Sequence, residues 1–459
     1  MSQTAVVPIR SRKSRLYILK LALVTALSGL LFGFDTAVIN GALVYLRQQM
    51  EMTTWQTEML ASSLLVGAIL GAALGGRLSD AYGRRRMLSL SALIFAGSSV
   101  GSAISLTLMQ LSLARFAGGI AIGAGSVLAP LYLAEIAPAE QRGRIVTINQ
   151  LAIVSGMLIA YFVNWLLAAS GPSNWRWMFG IGVIPSFALW IGLFFVPESP
   201  RWMIQRGLHA QAETVIASLT SPEEAKKELE EVQEAVQEEL AARGSSSARP
   251  MRLPLLIAIT LAVLSQVTGI NTVLYYGAII FQDRFPHQTV GASLGANVLV
   301  GIVNLLGTIA ALRYIDKLGR RFLLLFASAG MAVSLFCMAY CFYSNQPNLV
   351  LVMVSVLSYI AFFAFGMAPA MWAYISEIFP NVARGSAVSM ATVSMWSATL
   401  VVTLSFLSIT QHLGVSGAFL IYAGFSVASF VFVWKMAPET RGKTLEQVQQ
   451  LWPSSATTP

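Results

Sequence analysis

Twelve apolar runs fill most of this chain, each close to the roughly 20 residues that a helix needs to cross a bilayer. They lie near residues 18–40, 57–80, 87–107, 109–133, 145–168, 177–196, 255–281, 290–313, 322–343, 348–373, 386–409 and 415–436. Such a pattern leaves an all-α membrane protein with twelve transmembrane helices as the expected fold class. Composition agrees: 56% of the residues are hydrophobic and 11% are charged, against about 25% charged in a soluble domain. The net charge of +9 does not indicate nucleic acid, because the positive residues cluster in short loops between the runs, as topogenic charges do.

Those loops set an orientation. Arg84, Arg85 and Arg86, then Arg142 and Arg144, the 198–253 segment, Lys317, Arg320 and Arg321, and Arg384 fall in alternate connections, whereas the intervening ones hold only Arg47, Arg176 and Arg284. Lysine and arginine concentrate on the cytoplasmic side, so both termini are expected there. The basic N-terminal arm (Arg10, Arg12, Lys13, Arg15) precedes no small-residue cleavage site and reads as a cytoplasmic flank. Exterior loops are short and carry no Asn-x-Ser/Thr acceptor, which points towards a bacterial inner membrane. Cys337 and Cys341, four apart on one helical face, read as packing residues; no metal site or cofactor is expected.

The order of motifs repeats. Asp80-Ala-Tyr-Gly83-Arg84-Arg85 returns as Asp316-Lys-Leu-Gly319-Arg320-Arg321, Glu135-Ile-Ala-Pro138 with Arg142-Gly143 as Glu377-Ile-Phe-Pro380 with Arg384-Gly385, and Pro197-Glu198-Ser199 as Pro438-Glu439-Thr440. The offsets are 236, 242 and 241 residues. The chain therefore divides into a six-helix half over 1–200, a linker over 201–250, a second six-helix half over 251–440 and a tail over 441–459. Repeats of this kind build transporters whose substrate site lies between the halves, near the bilayer midplane. In the linker, Leu229, Val232, Val236 and Leu240 recur at helical spacing among acidic residues and precede the flexible 244–250 segment; one or two amphipathic cytoplasmic helices are expected. All three motif pairs fall at the cytoplasmic ends. There Asp80, Arg84, Arg85, Glu135, Arg142 and Glu198, mirrored by Asp316, Arg320, Arg321, Glu377, Arg384 and Glu439, are expected to form a charge latch that holds helix ends together while the cavity faces outward.

Two charges lie deep in apolar runs. Asp35, in Leu31-Phe32-Gly33-Phe34-Asp35, is about 17 residues into the first run, and Arg115 about 6 residues into the fourth, which enters from the opposite side. At 1.5 Å per residue both sit in the outer half of the membrane, at comparable depth. An acid so placed takes a partner, a water-filled cavity or a proton-relay role. Paired with Arg115, Asp35 favours its ionised form; apart from it in a dry cavity, its protonated form. That couples a proton to a conformational change, unless the pair is purely structural. In the seventh run Gln266 and Asn271 are about 140° apart around an ideal helix. Gly269 between them permits a break that turns both amides into one cavity. Gln150, Asn304, Trp372 and Trp396 are further polar or aromatic residues in apolar runs, and amides and indoles together suit an uncharged polyhydroxyl compound.

With these motifs in view, and with Pro200-Arg201, Tyr275-Tyr276 and Arg441-Gly442 beside them, the chain resembles the sugar porters of the major facilitator superfamily over nearly its whole length. The resemblance implies the major facilitator fold, two pseudo-symmetric six-helix halves with a cytoplasmic helical linker, and hexose, pentose or polyol substrates. It follows bacterial proton symporters, in which the acid matching Asp35 couples protons with the arginine matching Arg115. Carried over, the sugar contacts are Gln150, Gln266, Asn271, Asn304 and Trp372, with Phe32, Tyr275 and Trp396 lining the cavity. Three positions depart from the family pattern. Ser265 stands where a glutamine is usual before Gln266, Met395 where close symporters have a glutamine, and Ala368 where a glycine precedes Pro369. The pocket is then less polar, which brings a deoxy sugar, a cyclitol or a substituted glycoside into range. The expected function is proton-coupled symport of a sugar or polyol by a monomer in the bilayer, with protons as co-substrate. A passive facilitator is the alternative, and a non-transporting sensor or an enzyme is not favoured.

Overall fold

A computed structural model describes residues 12–136, 142–219, 222–242, 252–344, 347–379, 381–442 and 447. Among them every regular element is helical. Helices α1 (Arg12–Gln49), α2 (Thr54–Tyr82), α3 (Arg84–Ile104), α4 (Leu108–Ile136) and α5 (Arg142–Leu166) form the first five crossings; α6 (Asn174–Gly180) and α7 (Val183–Leu193) share the sixth. Three further helices follow, α8 (Pro200–Gln205), α9 (His209–Leu219) and α10 (Pro222–Ala242). The second half comprises α11 (Arg252–Val267), α12 (Ile270–Arg284), α13 (Val290–Leu318), α14 (Arg320–Tyr343), α15 (Leu349–Phe362), α16 (Ala368–Glu377) and α17 (Asn381–Met436).

Eleven segments are long and apolar enough to cross a membrane. The last, Gly385–Met436, has 52 residues, about 78 Å of helix and more than twice the hydrocarbon thickness. Gly414 interrupts it with φ 72° and ψ 167°, so this segment accounts for two crossings and the total is twelve. Two other crossings are irregular. The seventh breaks between α11 and α12, and the tenth joins α15 to α16 through a π-helical turn at Phe363–Met367. Such turns recur at functional sites because they re-aim side chains within a continuous helix.

The linker helices pack on themselves and on the first half. Met203, Ile204, Ala212 and Val236 are buried together, with Trp202, Val215, Leu229 and Val232 against them; Leu240 lies outside the described side chains. Trp202 Nε1 donates to Asp80 O at the end of α2, at 3.0 Å. The linker thus holds three helices rather than the expected one or two, and they fold as an amphipathic unit docked to the end of the bundle that carries the repeated motifs, here called the motif end. The opposite end is the far end.

Candidate functional site

Asp35 reaches the interior because α1 lies directly on α5. A Cβ on Gly33 would sit 1.8 Å from Ile153 O, and one on Gly156 would sit 2.1 Å from Leu30 O. Small residues at these points let the two backbones approach and gain van der Waals contact, the main attraction between helices in lipid. Two residues past Gly33, Asp35 accepts a hydrogen bond from Arg115 Nη1 at 2.5 Å, with the two residues 5% and 2% exposed. The guanidinium also lies over the Phe179 ring, 5.2 Å from its centre. Asp35 Oδ2 and Arg115 Nε are buried without protein partners. The acid therefore keeps one oxygen on the arginine, while its other oxygen meets no donor among the described residues.

The helix break at Gly269 is what joins the predicted amides. Gly269 has φ 89°, and a Cβ there would fall 2.3 Å from the Tyr422 ring, so both the backbone angle and the space require glycine. Across the break Asn271 Nδ2 donates to Gln266 Oε1 at 2.7 Å. Gln266 Nε2 donates to Ser265 Oγ at 2.9 Å, and Thr399 Oγ1 to Gln266 Oε1 at 3.1 Å. Asn304 from α13 donates to the thioether of Met157 on α5 at 3.7 Å, a weak acceptor that a hydroxyl displaces readily. Phe32 packs on Trp396 with ring centres 5.4 Å apart, and the buried Trp396 Nε1 has no acceptor. Tyr275 and Met395 are buried as well.

The amide group, the Phe32–Trp396 pair and the Asn304–Met157 contact draw on both halves, and the last two span them. Gln150, Trp372 and Ala368 are half-buried and enter none of these bonds. A crevice lies elsewhere, among α12–α15 and α17. Phe281, Phe285, Phe342, Met353 and Phe419 line it, and its apolar walls offer little to a polyhydroxyl compound.

At the motif end the two repeats build matching networks. Arg84 bonds to Glu135 at 3.0 Å and to Asp80 at 2.9 Å, while its Nη1 caps Ser79 O. Arg320 bonds to Glu377 and to Asp316, both at 2.8 Å, and its Nη1 caps Ile315 O. Glu198 accepts the Arg85 N–H at 3.0 Å; Glu439 accepts the N–H groups of Arg320 and Arg321, each at 3.1 Å. Both glutamates thus sit on helix N-termini, where free N–H groups and the helix dipole favour an anion. Gly83 (φ 100°) and Gly319 (φ 91°) leave room for them.

The geometry alters the expected latch in two respects. Arg85 and Arg321 meet the carboxylates through main-chain N–H groups, with the Arg321 guanidinium turned to Trp434 O instead. Each described network also stays within one half. The side chains of Arg142 and Arg384 lie outside the described residues.

Sequence reasoning missed the far end. Asn40, at the end of the first apolar run, donates to Leu274 O at 2.7 Å and accepts from Ala278 N and Asn297 Nδ2, each at 3.2 Å. Tyr161 Oη donates to Leu274 O at 3.2 Å, and Arg47 meets Asp283 at 3.1 Å. Ser408 binds Glu58. All of these join the two halves, and their partners lie more than 100 residues apart in sequence.

The family described as sugar (and other) transporter matches residues 21–452. A D-xylose transporter of Levilactobacillus brevis is 38% identical over 429 residues, covering 92% of this chain and 93% of the relative. The D-xylose-proton symporter of Escherichia coli (strain K12) is 35% identical over 478 residues, covering 95% and 96%. Among solved structures, the partially occluded inward open conformation of the xylose transporter XylE from E. coli superimposes with a TM-score of 0.84 at 32% identity, covering 94% of this chain and all of that one.

Proposed function

Because the chain belongs to the sugar (and other) transporter family and has the major facilitator fold, we propose that it carries a sugar or polyol together with a proton by alternating access across a bacterial inner membrane. It is a multi-pass membrane protein, and the excess of Lys and Arg at the motif end favours a cytoplasmic location for that end and for both termini. The observation that carries the proton part is the buried Asp35–Arg115 pair with its unpartnered Asp35 oxygen. When the site has no sugar the ionised acid is held by the arginine; a proton on Oδ2 removes the charge and loosens that hold. Protonation thereby frees the Arg115 guanidinium to take other partners, which lets α1 and α4 shift against one another within the first half.

The sugar part rests on the Gln266–Asn271–Thr399 group and on the Phe32–Trp396 rings. An amide cluster exchanges its internal hydrogen bonds for bonds to hydroxyls, and an aromatic face covers the C–H side of a sugar ring. The thioethers of Met157 and Met395 favour a substrate with fewer hydroxyls than an aldohexose, such as a deoxy sugar, a cyclitol or a substituted glycoside. The relatives named for D-xylose make pentoses the first compounds to test.

The deciding experiment is pH recording in lightly buffered, de-energised vesicles while a panel of sugars and polyols is added. External alkalinisation on adding one compound, lost in Asp35→Asn, is the expected result. Downhill equilibration of labelled sugar with no pH change refutes coupling and leaves a facilitator in which Asp35 and Arg115 form a structural pair.

A further inference from the structure

Glu58 is the buried acid that neither the proton pair nor the motif networks use. It lies near the start of α2 at the far end and is 0% exposed. Both of its oxygens are taken by one residue of the other half: Ser408 N–H donates to Oε1 at 2.8 Å and Ser408 Oγ–H to Oε2 at 2.6 Å. No described ion pair includes it. Thr54 and Gln411, one helical turn away on either side, bond across the same seam.

A carboxylate without a cation stays buried only while donors replace its water. Here every donor comes from across the seam, so separating the halves at the far end strips Glu58 of its bonds and gives it water instead. The main-chain N–H cannot reverse its direction, so the clasp demands an acceptor at this position and not merely any polar group. The other far-end contacts are of a different kind. Asn40 is neutral, and Arg47–Asp283 is solvent-exposed, the class of pair that contributes little. Glu58 is the one buried acid among the described residues that bonds across the seam.

We propose that Glu58 is a gating residue: its clasp on Ser408 holds the far end shut and sets the fraction of molecules open at that end. The proposal rests on the alternating-access reading, but its test needs no substrate. Spin labels are placed at Met109 and His287, one in each half, in a chain with Cys337 and Cys341 replaced by Ser. Label–label distances are then measured by double electron–electron resonance in detergent without sugar. Glu58→Ala is expected to raise the ratio of wide to narrow distances about tenfold, equivalent to about 1.4 kcal/mol. Ser408→Ala, which removes one of the two donors, shifts it less and in the same direction. Glu58→Gln keeps an acceptor for the Ser408 N–H and falls between wild type and Glu58→Ala.

A monodisperse Glu58→Ala protein with an unchanged distance distribution overturns the proposal. If that variant does not fold, unchanged distributions in both Glu58→Gln and Ser408→Ala overturn it. A wild type that moves no sugar, yet shows the shift in its variants, refutes the transport reading and leaves the clasp standing.

Discussion

Replacing Asp35 with Asn isolates the proton from the packing. The amide is close to isosteric and retains an oxygen for the Arg115 N–H now met at 2.5 Å, while the exchangeable proton is gone. In the proposed mechanism one carboxylate carries one proton per cycle. With the membrane potential collapsed, a gradient of one pH unit supplies about 1.4 kcal/mol per proton, enough for about tenfold accumulation of sugar. Proteoliposomes holding the wild type should approach that ratio, and those holding Asp35→Asn should stop at about one while still exchanging labelled for unlabelled sugar.

The variant also leaves a guanidinium that is 2% exposed beside a neutral group. Breaking a buried pair costs about 3–5 kcal/mol, and the retained hydrogen bond returns part of this. A lower thermal midpoint in Asp35→Asn, recovered in Asp35→Asn/Arg115→Gln, is expected. An Asp35→Asn protein that still accumulates sugar tenfold refutes the reasoning. Accumulation of about a hundredfold by the wild type would require a second proton.

Four further variants test contacts already described. Gln266→Leu removes the acceptor shared by Asn271 and Thr399 and should raise the half-saturating sugar concentration by about tenfold or more, as read by uptake of labelled sugar, without altering the far-end distances. Gly269→Ala forces a side chain into the left-handed region and onto the Tyr422 ring; it should abolish uptake in a protein that still inserts, as checked by size-exclusion chromatography and transport side by side. Arg84→Lys replaces a forked donor with a point charge and should lower stability by about 1.5–3 kcal/mol. Arg320→Lys should cost less, because the Arg320 side chain is 14% exposed against 4% for Arg84; thermal unfolding followed by tryptophan fluorescence compares them.

The fold was legible wherever one physical rule acts over many residues. Span length and loop charge yield the crossings, and the Asp80/Asp316 repeat yields the two halves, because each bilayer crossing obeys the same demand for about 20 apolar residues. The meeting of Asp35 with Arg115 was legible too, since depth along two antiparallel helices is simple arithmetic. So was the joining of Gln266 to Asn271, because a glycine between two polar residues in an apolar run has few other uses.

What could not be read were partnerships set by how one half rests on the other. Thr399 looks like any threonine bonding back to its own helix, which it also does through Met395 O. Met157 gives no sign that it faces Asn304. Glu58 stood at the edge of a run, where an acid usually marks an interface, and only the three-dimensional placing of a residue 350 positions later shows it to be buried. Arg85 and Arg321 suggested guanidinium contacts because the sequence displays side chains and conceals which backbone N–H groups a turn leaves free.

Asn40 bridges Leu274 O and Ala278 N on α12, four residues apart and therefore the very pair that a regular helix joins to each other. When the halves part, these two groups need no water and no new neighbour, because each is already the other's natural mate. The seam at this point is a shared bond rather than a surplus one, and withdrawal of Asn40 leaves α12 whole. At this point of the seam, closing and opening then differ little in main-chain hydrogen bonding.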